Sequence, residues 1–145
     1  MSLKRLRSGE LLALAGAISV IVSLSQPWYE SPTGDLDAWD TFGPGVVLVL
    51  LATCAAFALA ASTLAERTPA LPVAVGVWCE LLALVAVIAA VVRALERPDH
   101  ASAAAVGAWL ALGGSVAMLA GAWQALRDER TSQYRPAHPP ARPLP

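Results

Sequence analysis

Four long apolar stretches constrain this chain more than any other feature of its sequence. They run from Gly9 to Gln26, from Gly45 to Leu64, from Leu71 to Val92 and from Ala103 to Leu126. An α-helix rises about 1.5 Å per residue, so about 20 apolar residues cross a hydrocarbon core of about 30 Å. The sequence therefore predicts an all-α integral membrane protein with four spans.

The connections between the spans predict how the helices pack. The links at 66–70 and 93–102 are short, and each contains a proline. Short links make consecutive helices antiparallel neighbours. We therefore expect an up-down-up-down four-helix bundle over residues 1–127, with an outer loop at 27–44. Residues 128–145, which contain several prolines and arginines, are expected to form a disordered cytoplasmic tail.

The distribution of charge predicts the orientation of the bundle. Charged residues make up only 14% of the chain, against about 25% in an ordinary soluble domain. Eight of the ten lysines and arginines lie before the first span, between the second and third, or after the fourth. The opposite side carries only Arg93 and Arg97, together with six acidic residues. By the positive-inside rule, both termini are expected on the cytoplasmic side of a cell membrane.

The first span also resembles a secretory signal peptide. It has a basic start, an apolar run from Leu11 to Leu24, and the small residues Ser23 and Ser25 at a candidate cleavage site. Pro27 directly behind that site is an unfavourable context, and Glu10 interrupts the start of the run. A retained span is therefore favoured; cleavage would leave three spans in the same orientation.

The outer loop combines aromatic and acidic side chains. Its aromatic residues are Trp28, Tyr29, Trp39 and Phe42. One interpretation is an aromatic belt, with the rings at the level of the lipid headgroups. The other is a small ordered cap that folds over the mouth of the bundle or meets a partner, since exposed aromatics commonly anchor interfaces. The four aromatics are the candidate contact residues of the loop.

The sequence carries no pattern that predicts a metal, a cofactor or catalysis. The spacing Asp35-x-Asp37-x-x-Asp40 is reminiscent of a calcium loop, but the central glycine and distal glutamate of an EF-hand are missing. No histidine lies in a span, which excludes axial haem ligation by histidine within the bundle. Phosphate loops, zinc-binding clusters and catalytic serine–histidine pairs are also missing. We therefore expect that the chain is not an enzyme and that it does not bind nucleic acid.

The outer loop carries one resemblance to a known group. A span that ends in Pro27-Trp28-Tyr29, an acidic stretch, and Ala38-Trp39-x-x-Phe42 before the next span resemble a pattern in small four-span membrane proteins of high-GC Gram-positive bacteria. The resemblance covers the first two spans and their loop, about a third of the chain. That group has no assigned activity, so the resemblance implies the topology and no catalytic residue.

Glu80 is the one acidic residue in the middle of a span. An ionisable side chain at the bilayer centre costs about 2.5–3.5 kcal/mol on insertion scales, so the carboxyl must be protonated or find a partner. Gly76, Ala83 and Ala90 recur every seven residues and predict a small-residue packing seam, which turns Glu80 toward protein. Counted along their own spans, Ser19 and Ser115 lie at nearly the same depth as Glu80. We therefore expect a Ser19–Glu80–Ser115 hydrogen-bonded cluster.

The fourth span carries a second small-residue stripe. Trp109, Gly113, Ala117 and Gly121 follow one another at intervals of four. Such a stripe allows close backbone approach. The neighbour is expected to be the first helix, with another copy of the chain as the alternative.

Two functions remain open at this point. The favoured one is a non-enzymatic structural or accessory component that contacts other membrane proteins, or a homo-oligomer, in the lipid bilayer. In that case Glu80 is a structural polar centre. The alternative is a small proton- or cation-coupled transporter or channel that uses Glu80.

Overall fold

The computed structural model describes residues 6–31, 34, 36–65, 70–96, 101 and 103–132. The predicted disordered tail from residue 133 onward, the links at 66–69 and 97–100, and Asp35 lie outside the described residues. Four long helices carry most of the chain. In chain order the elements are α1 (Ser8–Leu24), β1 (Tyr29–Glu30), α2 (Ala38–Phe42), a 3-10 turn (Gly43–Gly45), α3 (Val46–Ala65), α4 (Ala70–Leu95), β2 (Ala103–Ala104) and α5 (Val106–Ser132).

Each of the four apolar stretches forms a helix. Among the residues that the structure describes, three helices are long and apolar enough to cross a membrane, over Val46–Ala65, Val73–Leu95 and Val106–Asp128. α1 is apolar but shorter, with 17 residues, which corresponds to about 25 Å at helical rise.

The last helix departs from the predicted boundaries at both ends. Ala103 and Ala104 form a strand, so α5 begins later than the predicted fourth span. At its other end α5 continues to Ser132, whereas the tail was predicted to begin at residue 128. The apolar pattern does not reveal the strand, because two alanines suit a helix equally well.

The helices pack as a ring in chain order. α1 contacts α3, α3 contacts α4, and α4 contacts α5. The most extensive interface is the one that closes the ring, between α1 and α5. α1 and α4 therefore lie at opposite corners of the bundle.

Glycine backbones form the α1–α5 interface. A Cβ atom at Gly16 would lie 2.5 Å from the carbonyl oxygen of Gly114, and one at Gly121 would lie 2.4 Å from the amide nitrogen of Ala13. Contacts this short are sterically forbidden, so only glycine fits at these positions. The two helices thus approach each other backbone to backbone.

The predicted stripe on α5 does not pack against α1 at Gly113. Nothing lies within 4 Å of the position a Cβ would take there, and Ala117 is only half-buried. Gly114 and Gly121, seven residues apart, make the close contacts instead. A row spaced by four residues rotates by about 40° per step around a straight helix, whereas a row spaced by seven rotates by only about 20°. The predicted row therefore leaves the interface within two steps.

The distribution of side-chain sizes is the reverse of that in a soluble bundle. The buried core consists mostly of alanine. Large apolar side chains face outward along all four long helices; examples are Ile18, Leu51, Trp78 and Trp109. Monomeric soluble proteins rarely expose contiguous apolar surface of this extent.

Candidate functional site: the aromatic cap and the two glutamates

A small ordered cap covers the end of the bundle where α1 ends and α5 begins. We call residues 27–31, 36–45 and 103–105 the cap. β1 pairs with β2 in antiparallel register, with Tyr29 opposite Ala104. On its other side Tyr29 forms an antiparallel bridge with Leu36. The segment after α1 is therefore hydrogen-bonded on both sides, to the acidic loop and to the segment before α5.

Trp28 anchors the cap in the bundle. Its side chain is 1% exposed, and its indole Nε1 donates a hydrogen bond of 2.8 Å to the carbonyl oxygen of Ser23. Its ring stands edge-on to Phe42, with centroids 4.7 Å apart and planes at 85°. A Cβ at Gly107 would lie 2.6 Å from Trp28 Cδ1. The start of α5 is therefore shaped to accept this ring.

Tyr29 connects the cap to the end of α4. Its side chain is fully buried, and its hydroxyl donates a hydrogen bond to the carbonyl oxygen of Arg93. That carbonyl belongs to the last turn of α4, where helix geometry leaves carbonyls without internal partners. The Arg93 guanidinium lies over the Phe42 ring at 5.6 Å from its centroid, a cation–π arrangement.

Asp37 has a structural role in the cap. Its carboxylate accepts hydrogen bonds from the backbone N–H groups of Trp39, at 2.8 Å, and Asp40, at 3.0 Å. This is the N-cap of α2, and Asp is among the residues preferred there. Within the part of the chain that the structure describes, no group of three His, Cys, Asp or Glu side chains could hold a metal ion.

The cap changes the role of the four predicted contact aromatics. Trp28, Tyr29 and Phe42 are buried, whereas Trp39 is 55% exposed. The first three are therefore not surface contact residues, because their rings fill the end of the bundle. Trp39 remains the one loop aromatic that a partner or the lipid headgroups can reach.

A groove opens beside the cap. It has a volume of about 520 Å³. Its lining residues are Pro27, Glu30, Ala104, Ala105, Val106 and Trp109.

Glu80 lies at the edge of the packing face of α4. Gly76, Ala83 and Ala90 are all buried, as is Cys79, while Glu80 is half-buried. No hydrogen bond joins Glu80 to another residue that the structure describes. In that same part of the chain every buried side-chain nitrogen or oxygen atom has a hydrogen-bond partner. The Glu80 carboxyl therefore reaches the surface of the bundle.

The predicted Ser19–Glu80–Ser115 cluster is wrong. Ser19 Oγ donates to the carbonyl oxygen of Leu110 on α5 at 3.1 Å. Ser115 Oγ donates to the carbonyl oxygen of Ala111 in its own helix at 2.7 Å. The prediction matched the three side chains by depth alone, but α1 and α4 lie at opposite corners of the bundle. Matching depth does not bring side chains together when they point in different directions around their helices.

Glu10 is the buried acidic residue that sequence reasoning missed. Its side chain is 4% exposed. One carboxylate oxygen accepts the backbone N–H of Arg7 at 2.5 Å, and the other accepts the hydroxyl of Thr63 on α3 at 3.2 Å. A glutamate three residues into a helix is one half of a capping box. That pattern was available in the sequence, where Glu10 was considered only as an interruption of the first span.

Comparison of the chain with protein families, with curated proteins and with solved structures finds no match.

Proposed function

We propose that this chain is an integral membrane protein of four spans, arranged up-down-up-down with both termini in the cytoplasm. In this proposal it acts without catalysis, as a structural or accessory component that contacts other membrane proteins. The observation that carries the membrane assignment is the reversed side-chain distribution, with alanine inside and large apolar side chains outside. Burying large apolar side chains in water-free surroundings is what a bilayer offers and an aqueous compartment does not.

Hydrogen bonds between helices support the antiparallel arrangement. Ser8, at the start of α1, accepts a hydrogen bond of 2.9 Å from the side chain of Gln124 late in α5. Glu10 is bonded to Thr63, near the end of α3. At the other end of the bundle, Tyr29 after α1 is bonded to Arg93 late in α4. Consecutive long helices therefore run in opposite directions.

The charges at the two ends support the orientation. Arg7 and Arg127 lie at the end where α1 begins and α5 ends. The cap end carries the acids Glu30, Asp37 and Asp40. By the positive-inside rule the first end faces the cytoplasm and the cap faces outward.

The polar side chains inside the bundle support a non-catalytic role. Ser23, Thr53, Ser62 and Ser115 each donate to a carbonyl three or four residues earlier in the same helix. Each hydroxyl hydrogen is thereby committed to its own backbone. Hydroxyls that are bonded within their own helix in this way do not form a chain of hydrogen-bonding groups that leads to Glu80.

The exposed Trp39 provides the sharpest test of the accessory role. The chain is purified from native membranes in mild detergent, and co-eluting proteins are identified by mass spectrometry. We expect a stoichiometric second protein that is lost with Trp39→Ala and retained with Trp123→Ala. Trp123 is a matched control because it is also 55% exposed and lies near the opposite end of the bundle. Equal recovery with both variants, or no second protein at all, would contradict the role.

The alternative is a proton- or cation-coupled transporter that uses Glu80. The observation in its favour is that the carboxyl reaches the surface without a hydrogen bond to any residue that the structure describes. This alternative requires Glu80→Gln to abolish ion flux in proteoliposomes while the fold is retained. Unchanged flux, or none in the parent protein, would exclude it.

A further inference from the structure

α4 is the long helix that buries the smallest share of its residues inside the bundle. Only 28% of its candidate span is buried in the bundle, against 50% for α3 and 44% for α5. This outward surface is aliphatic apart from Trp78 and the flanking carboxyl of Glu80.

Two rows on this surface have the spacing of a coiled-coil seam. One is wholly apolar and consists of Trp78, Leu81, Val85, Ile88 and Val92, and the other contains Glu80. The members of this second row follow at alternating intervals of four and three residues, and none of them is buried. The second row is Val73, Val77, Glu80, Leu84, Val87 and Val91. We call this row the Glu80 seam. A spacing that averages 3.5 residues is what a pair of helices needs to wrap around each other in a left-handed supercoil.

Glu80 is the only polar member of the seam. Its helix neighbours at three and four residues' distance are Val77 and Leu84, which are 45% and 44% exposed. Lipid tails offer a carboxyl no hydrogen bond, so leaving it against lipid at this depth is unfavourable. The Glu80 seam therefore favours a neighbour in the membrane that supplies a hydrogen-bonding group at the depth of Glu80.

We propose that this neighbour is a second copy of the chain. In our proposal two protomers associate in parallel through the Glu80 seam, and their two Glu80 carboxyls hydrogen-bond to each other. A two-fold axis along the membrane normal places every seam residue opposite its own counterpart, so the depths of the two carboxyls match by symmetry. A protonated carboxyl both donates and accepts, which makes the pair self-complementary. A single polar residue in an apolar seam also fixes register and partner number.

This inference rests on the membrane placement proposed above, and it is tested in two stages. Membrane insertion is measured first, by resistance to alkaline carbonate extraction. A chain that is extracted would refute the proposed function. An inserted chain is then used to test the seam, so the two failures are distinguishable.

The seam is tested by disulfide crosslinking of single cysteines in native membranes. The background is Cys54→Ala with Cys79→Ala, and the cysteines are placed at Val77, Leu84 and Val91. The matched controls are the next residues along the helix, at the same depth but turned away by about 100°; these are Trp78, Val85 and Val92. The controls are exposed to a similar extent as the seam residues or more, with 65%, 40% and 40% against 45%, 44% and 38%, so that only Val85 is slightly less exposed than its seam neighbour.

We expect covalent dimers at the three seam positions, with yields at least about fivefold higher than at the controls. Equal yields at both sets, higher yields at the controls, or no dimer from inserted protein would overturn the proposal. The last result would indicate that lipid or a different protein covers this face.

The carboxyl pair is tested by energy transfer between labelled protomers in detergent. Glu80→Gln keeps a group that donates and accepts, so we expect dimerisation close to that of the parent protein. Glu80→Leu removes the pair, and interhelical hydrogen bonds in membranes are strong enough that we expect association to weaken about tenfold. Association of Glu80→Leu at parental strength would overturn the carboxyl pair.

Discussion

Gly121→Ala is the substitution whose effect the structure defines most sharply. The added methyl group would lie 2.4 Å from the amide nitrogen of Ala13 and 2.6 Å from the carbonyl oxygen of Gly9. Non-bonded heavy atoms pack at about 3.5 Å or more, so α1 must move away by about 1 Å. Because the obstructing atoms belong to the backbone of α1, no side-chain rotation relieves the contact.

The expected loss of stability follows from two opposing effects. Overpacking a well-packed interface costs about 1–3 kcal/mol, and a contact with backbone lies at the upper end of that range. Replacing glycine by alanine inside a helix returns about 1 kcal/mol. We therefore expect Gly121→Ala to lower the free energy of unfolding by about 2 kcal/mol.

The measurement is reversible unfolding by SDS titration in mixed micelles, followed by circular dichroism. Gly113→Ala is the matched control, because it lies on the same helix and nothing lies within 4 Å of the position its Cβ would take. Gly113→Ala should be neutral or stabilising by up to about 1 kcal/mol. Equal transition midpoints for the two variants would refute the backbone-to-backbone contact between α1 and α5.

Three further substitutions test the cap and the opposite end of the bundle. Tyr29→Phe removes the hydroxyl that bonds to the Arg93 carbonyl, so the SDS titration should show a loss of about 1 kcal/mol; an unchanged midpoint would contradict that bond. Asp37→Ala removes the N-cap of α2, and amide hydrogen exchange in α2 should accelerate about fivefold, with a smaller change for Asp40→Ala as control. Glu10→Ala removes the acceptor of the Arg7 backbone N–H, while the Thr63 hydroxyl keeps the Leu59 carbonyl oxygen as an acceptor at 3.1 Å. The same titration should therefore show a loss of about 1 kcal/mol, and Glu10→Gln, which keeps one acceptor oxygen, should fall between Glu10→Ala and the parent.

The positions of the long helices were predictable because length and polarity determine them. An apolar run of about 20 residues has few alternatives to a helix, since only a helix satisfies every backbone group without water. The boundaries were less predictable where the composition is neutral. Ala103 and Ala104 form a strand because they pair with Tyr29 and Glu30, and alanine carries no signal for that pairing.

The cap could be predicted as one of two interpretations of the outer loop. Its aromatic content suggested either a belt at the headgroups or an ordered cap, and hydropathy alone does not separate them. What separates them is the pairing of β1 with a strand far along the chain, in which Tyr29 pairs with Ala104, 75 residues later. Long-range pairing of this kind leaves no local pattern, so the burial of Trp28 and Phe42 was not predictable.

The direction in which each side chain points around its helix axis was the least predictable feature. Gly76, Ala83 and Ala90 are buried, because a seven-residue row stays on one face of a helix over this length. The stripe through Gly113 drifted off its face because it was spaced by four. Depth within the bilayer can be counted from the ends of a span, whereas the direction of a side chain depends on which helices are neighbours.

Glu10 and Glu80 illustrate the physical reason for the remaining errors. The first turn of a helix has backbone N–H groups without internal partners, so Glu10 obtains a donor from its own helix even though it is buried. In the middle of a helix every backbone N–H is already bonded, and Glu80 must obtain a partner from a side chain elsewhere. The facing surface offers mostly alanine, and Ser115 donates its hydrogen to its own helix. The glutamate near the edge is therefore satisfied within the bundle, whereas the central one has no hydrogen bond to any residue that the structure describes.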